Sequence, residues 1–164
     1  MHTEILQITR AIFNEYHQGF IYVDLNQVDF HQNEIRGKFQ FTGSAYLKTY
    51  SKIFNNTEAM FIFNQLQYLL LAAIFYQQGA IQTTNLNAAY RKLDGIVYKD
   101  MQFNFKKMIT ENSELSFICR AAPYSDRKQR ECFEVQLDLA NSAFEIVGTA
   151  VCLNSSVHCD GVHG

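Results

Sequence analysis

The chain has 164 residues, 48% of them hydrophobic and 18% charged, with a formal net charge of -2. That length and apolar content suit one domain with a real core and exclude a disordered chain. The near-neutral charge, with no basic block, argues against a nucleic-acid-binding surface.

Residues Glu4 to His17 carry Ile5, Ile8, Ile12, Phe13 and Tyr16 at helical spacing, with Thr3 as a cap and Gly19 as a stop. Phe20 to Phe30 is rich in strand formers, and Ile35 to Thr42 alternates with Ile35, Gly37, Phe39 and Phe41 on one face. With the polar stretch His31 to Glu34 between them, the two runs predict a β-hairpin. Gly43 ends the second strand, and the loop from Ser44 to Phe54 has no assignable period. Asn55 then fits a helix N-cap, because Asn55-Asn56-Thr57-Glu58 has capping-box spacing. The helix is expected from Thr57 to Gln78, with Gly79 as its stop and apolar residues on nearly all faces.

Thr84 to Leu93 reads as a short helix or loop, and Asp94-Gly95 as a turn. Strand-like runs follow at Gly95 to Tyr98 leading into Met101 to Ile109, then Glu114 to Ala121, Glu131 to Asp138 and Ala143 to Leu153. Pro123 is expected in the turn between the middle two, and Asn141-Ser142 marks another turn. One domain is expected over residues 1–153, with 154–164 as a loose tail. Strands that follow a single long helix indicate α+β rather than alternating α/β. A long central helix wrapped by a curved antiparallel β-sheet is the hot-dog arrangement. Such a domain would cover its remaining sheet edge or helix surface by pairing, so at least a homodimer is expected.

The cysteines Cys119, Cys132, Cys152 and Cys159 form no CxxC pair, so neither a zinc knuckle nor a redox motif is supported. The opening MHTEILQITRAIF has polar residues throughout, unlike a signal peptide. A cytoplasmic setting with free thiols is the expectation. The apolar run from Tyr68 to Tyr76 is expected to be too short and interrupted to span a bilayer. The tail residues His158, Cys159, Asp160 and His163 have metal-capable side chains, but a loose tail loses entropy on binding, and no metal is expected. The basic residues Lys106, Lys107, Arg127, Lys128 and Arg130 read as solvated surface, or as contacts for coenzyme A phosphates or an acidic carrier protein.

Asn64 is the most unusual residue of the long helix. Helical periodicity puts it on one face with Thr57, Phe61 and Tyr68. It either hydrogen-bonds a substrate or water in a cleft, or is satisfied by a neighbouring strand or a second copy; a buried unsatisfied amide would cost about 1–3 kcal/mol. Asn55 and Glu58 are explained by capping, yet the free N–H groups at a helix start can also hold a developing oxyanion. Glu58 is the only carboxylate in this segment, a cap by its spacing and a proton acceptor by its chemistry.

The segment from Gly43 to Tyr68 resembles the characteristic segment of the FcoT-like acyl thioesterases, a hot-dog family. The residues that carry the resemblance are Ser44-Ala45-Tyr46, Lys48, Phe54-Asn55, Glu58 and Phe63-Asn64-Gln65-Leu66 followed by Tyr68. The loop between Tyr46 and Asn55 is longer than the family pattern and lacks its His. The resemblance implies an enzyme acting on fatty acyl thioesters of coenzyme A or of acyl carrier protein, with no cofactor beyond the coenzyme A or phosphopantetheine of the substrate. It implies active-site positions at Tyr16, Tyr46, Asn55 and Asn64, with Glu58 beside them. Ser44, Thr57, Phe61 and Tyr68 are the candidates for substrate contact. Some relatives in isonitrile natural-product pathways are associated instead with adding glycine to an α,β-unsaturated acyl carrier protein. A non-catalytic acyl-binding domain is the remaining alternative.

Overall fold

In the computed structural model of the chain, the described residues are 2–14, 22–43, 52–125 and 131–153. The elements are α1 (His2–Phe13), β1 (Val28–His31), β2 (Glu34–Phe41), α2 (Asn56–Gln77), α3 (Leu86–Asp94), β3 (Ile96–Phe105), β4 (Ser113–Ser125), β5 (Glu131–Leu139) and β6 (Phe144–Cys152). The strands form a single six-stranded antiparallel sheet in the order β1-β2-β4-β5-β6-β3. The expected α+β architecture is therefore present, with one long helix packed against one sheet.

Alternation places one face of the sheet on the helix. Ile35, Phe39 and Phe41 of β2, Leu115, Phe117 and Cys119 of β4, and Val135, Leu137 and Leu139 of β5 are all buried. They join Ile62, Phe63, Leu66, Leu69, Leu70 and Phe75 of α2 in one cluster. Each large apolar side chain fully withdrawn from water contributes about 1.5–3 kcal/mol, so α2 is the element on which the fold depends most. By length and composition α2 could cross a membrane, which the interrupted apolar run did not lead one to expect. Its apolar window is 72% buried inside the protein, so its hydrophobicity is used by the core.

Several local expectations need correction. The first helix begins at His2, so Thr3 lies inside it rather than capping it. Tyr22 to Asp24 are not strand; a 3-10 turn follows at Leu25–Gln27, its start capped by the Asp24 side chain accepting from Asn26 N–H at 2.9 Å. The hydrogen-bond acceptor for Tyr22 and Val23 is a helix side chain, described below, instead of a neighbouring strand. Pro123 is not in a turn. It lies in β4 opposite Phe133 of β5, beyond Arg120, where pairing with β2 stops. A proline is tolerated there because among the described residues that side of the strand has no ladder partner needing its missing N–H. β3 is one strand with an irregularity between Tyr98 and Asp100, and it ends at Phe105 rather than Ile109.

The turn from β5 to β6 has Ala140, Asn141 and Ser142 all at positive φ, 51°, 55° and 65°. Such residues are strained. Asp138 holds the turn by accepting from Ser142 N–H at 2.6 Å and from its hydroxyl at 2.7 Å.

Candidate functional site

The start of α2 is fixed from outside the helix. Phe54 is buried, edge-on to Phe41 at 5.3 Å and to Phe144 at 5.8 Å. Its N–H donates to the Ile109 carbonyl at 2.9 Å, and Glu111 N–H donates to the Lys52 carbonyl at 2.8 Å. These contacts hold the backbone that delivers Asn55 to the helix.

Asn55 has the extended conformation of an N-cap, φ -130° and ψ -175°, and the capping box is complete. Its Oδ1 accepts from Thr57 N–H at 2.8 Å, and Glu58 Oε2 accepts from Asn55 N–H at 3.1 Å. The Glu58 N–H also goes to the Asn55 side chain, and Ala59 N–H donates to the Asn55 carbonyl at 3.0 Å. The box therefore takes the second and third N–H groups of the helix. Asn56 N–H is the first-turn donor that has no acceptor among the described residues. The Asn55 amide oxygen is engaged with the helix and is not available to a ligand.

From Glu58 to Phe75 every residue of α2 is buried except Met60, Phe61, Asn64 and Tyr68. With Asn56 and Thr57 these make one stripe over the first turns, at the three- and four-residue spacing of a single helix face. Met60 is 45% exposed, while Phe61, Asn64 and Tyr68 are half-buried. Among the described residues the Asn64 amide has no hydrogen-bond partner. Burial pushes the Tyr68 phenol up, with Asp94 and Tyr90 adding to the shift; it is a protonated donor at neutral pH.

The neighbouring polar positions on the helix differ in role. Gln65 is fully buried, and its Oε1 accepts from Tyr22 N–H at 3.1 Å and Val23 N–H at 3.4 Å. It ties α2 to the chain leading into β1. Gln67 is also buried, and its Oε1 has no partner. On the flank of the stripe, Phe63 stacks on Tyr98 of β3 at 5.2 Å.

Of the residues singled out from the sequence, Asn64, Thr57, Phe61 and Tyr68 do share the open face. Asn55 and Glu58 close its N-terminal end. Tyr16, Ser44 and Tyr46 lie outside the described residues. Helical periodicity also puts Met60 one turn before Asn64, and the structure leaves it exposed on that face. Sequence reasoning missed the selection of Asn56 N–H as the remaining backbone donor, which requires knowing that the capping box forms.

Other features lie apart from the stripe. A cleft of about 480 Å³ runs along His31, Gln32, Arg120, Glu134 and Gln136, and one of about 330 Å³ along Tyr22, Asp24, Lys38 and Glu114. Both are lined mainly by exposed polar side chains. Cys119, Cys132 and Cys152 are buried free thiols. Burial pushes Cys152 up to about 12 and Cys119 higher still, which makes both unreactive at neutral pH. Lys106 is paired with Glu145 at 2.8 Å. Arg127, Lys128, Arg130 and the tail residues lie outside the described residues.

The sequence matches the FcoT-like thioesterase domain over residues 12–146. No curated protein matches it significantly. Among solved structures it is similar to zebra fish thioesterase superfamily member 2, with a TM-score of 0.57 and 12% identity over 89% of this chain and 94% of that one. It is also similar to a hypothetical thioesterase protein with coenzyme A from Streptococcus pneumoniae TIGR4, with a TM-score of 0.49 and 9% identity over 76% of this chain and 83% of that one. At 12% identity the likeness to the zebra fish protein is one of fold, and the fold is the hot-dog.

Proposed function

The chain belongs to the FcoT-like thioesterase family, and from that premise we propose that it hydrolyses fatty acyl thioesters carried on coenzyme A or an acyl carrier protein. The observation that carries this reading is the open stripe on an otherwise buried helix, with Asn64 at its middle and no hydrogen-bond partner for its amide among the described residues. A half-exposed amide in that state can exchange water for a ligand group.

The stripe has two kinds of surface. Met60, Phe61 and the ring of Tyr68 offer apolar contact for an acyl chain. Asn56 N–H is a donor at the N-terminal end, reinforced by the positive end of the helix dipole, and Asn64 Nδ2 is a second donor about two turns further along. In thioester hydrolysis charge develops on the carbonyl oxygen as water adds. Donors aimed at that oxygen lower the barrier because they stabilise the tetrahedral state more than the ground state. Losing one such donor raises the barrier by about 3–4 kcal/mol, on the order of 10² to 10³ in kcat. Tyr16 and Tyr46 are proposed as further polar contacts to the same group.

A homodimer belongs to this reading. β3 is a sheet edge with Val97 and Phe105 exposed on it, and Met60 is exposed on α2. An unpaired sheet edge is a surface that proteins cover; sedimentation should show at least two copies.

The test is release of free thiol from a panel of acyl-CoA and acyl carrier protein thioesters of graded chain length. Asn64→Ala is expected to lower kcat by about the factor above. No release from any substrate by the wild-type protein would overturn the hydrolase reading. A mass gain of glycine on an enoyl carrier protein would instead assign it to the addition chemistry.

A further inference from the structure

The open stripe of α2 carries two polar side-chain stations, where a plain acyl thioester carbonyl needs one. Thr57 is exposed, and its N–H is taken by the Asn55 cap at 2.8 Å. Its hydroxyl has no hydrogen-bond partner among the described residues. Asn64 is half-buried, and its amide likewise has none among them. Seven positions apart, the two side chains fall within about 20° of one line along the helix. Between them on the same face sit the exposed Met60 and the half-buried Phe61. The stripe therefore reads hydroxyl, apolar, amide, and then the ring of Tyr68.

The spacing of the two stations matches a known chemical interval. At 1.5 Å of rise per residue they lie about 10.5 Å apart along the axis. In a thioester of pantetheine, two amide carbonyls follow the thioester carbonyl, five and nine bonds along the thiol arm. An extended chain advances about 1.1–1.2 Å per bond, so the second amide lies about 10–11 Å from the thioester. With the thioester carbonyl at Asn64 Nδ2, the first amide passes over Phe61 and Met60. The second then reaches Thr57 Oγ1, which can donate to its carbonyl or accept from its N–H. The opposite direction would lay methylenes on that hydroxyl and take it out of water without a partner, which is unfavourable.

We propose that Thr57 is a specificity residue that reads the second amide of the pantetheine arm. The arm lies along α2 from Asn64 back towards the helix start, and the first carbons of the acyl group lie beside the ring of Tyr68. The inference rests on the thioesterase reading above and deepens it, because it gives the substrate a direction on the stripe. Coenzyme A and acyl carrier protein share this arm, so the contact serves either.

The experiment places one acyl group on pantetheine and on N-acetylcysteamine, a thiol that keeps the first amide and lacks the second. Wild type is expected to prefer the pantetheine ester in kcat/KM. Thr57→Val keeps the shape of the side chain and removes the hydroxyl. It is expected to cut that preference by about 3- to 10-fold, the worth of one net hydrogen bond, through KM rather than kcat. Thr57→Ser restores the hydroxyl and is expected to restore the preference. Parallel assays with acyl-CoA and acyl carrier protein separate the two sources of the arm. Thr57→Val should lose the same factor on whichever of them the wild type turns over. An unchanged preference in Thr57→Val would overturn the proposal, as would an equal loss on both small thioesters. So would an effect that grows with acyl length, since the acyl chain would then lie at Thr57. Silence of the wild-type protein on every thioester is the separate result that removes the thioesterase reading.

Discussion

Gln65→Met is the perturbation with the clearest structural arithmetic. The substitution keeps the length and approximate volume of a fully buried side chain and removes its oxygen. Two backbone N–H groups, those of Tyr22 and Val23, then lose the acceptor they hold at 3.1 and 3.4 Å. Val23 is buried and Tyr22 half-buried. A donor left unsatisfied in the interior costs about 1–3 kcal/mol. Full cost for Val23 and a fraction for Tyr22 give a loss of about 2–3 kcal/mol, or roughly 5–10 °C in Tm for a domain of this size. Urea unfolding followed by circular dichroism reads it directly, as a lower midpoint at an unchanged slope. Hydrogen exchange at Tyr22 and Val23 should accelerate ahead of exchange in β2. An unchanged midpoint would refute the argument, because it would mean that this amide does not hold the segment before β1.

Asn64→Ala should leave stability within about 0.5 kcal/mol, since the amide is half-buried and has no hydrogen-bond partner among the described residues, while activity falls; a large loss in the unfolding midpoint would make Asn64 structural. Gly37→Ala should destabilise by about 1–3 kcal/mol. A Cβ there would run into the Gln27 carbonyl and come within 2.7 Å of the Phe117 ring, and a mutant with wild-type Tm would contradict that packing. The buried thiols predict an alkaline weakness. Cys119 and Cys152 have raised pKa values in the folded state, Cys152 about 12, so the native protein holds these protons more tightly than the unfolded chain. Stability is then complete below the ordinary thiol value near 9. Above it stability falls by about 1.4 kcal/mol per pH unit for each thiol, until the folded pKa is reached. Cys→Ala at either position should flatten the decline of Tm between pH 9 and 11.

The sequence by itself determined the long helix and its ends. Asn55 and Glu58 close a box over three residues, and Gly79, at φ 72°, ends the helix where only glycine sits without strain. These are contacts between near neighbours, so they are readable from the order of residues. The same is true of the face shared by Thr57, Phe61, Asn64 and Tyr68, which follows from helical period alone. The order of the sheet was not readable, because β3 pairs with β6 and not with its sequence neighbour β4. Nor was the fate of the strand-forming run at Tyr22, whose partner is Gln65, more than forty residues away, or the placing of Pro123 inside β4 where its neighbour has ended. Hydrogen bonds between distant residues exist only once the chain has closed on itself. For that reason the sequence could put Asn64 on a face but not say that the face stays open. It could make Glu58 a cap, while only the packed structure buries its second oxygen and leaves that oxygen without a partner.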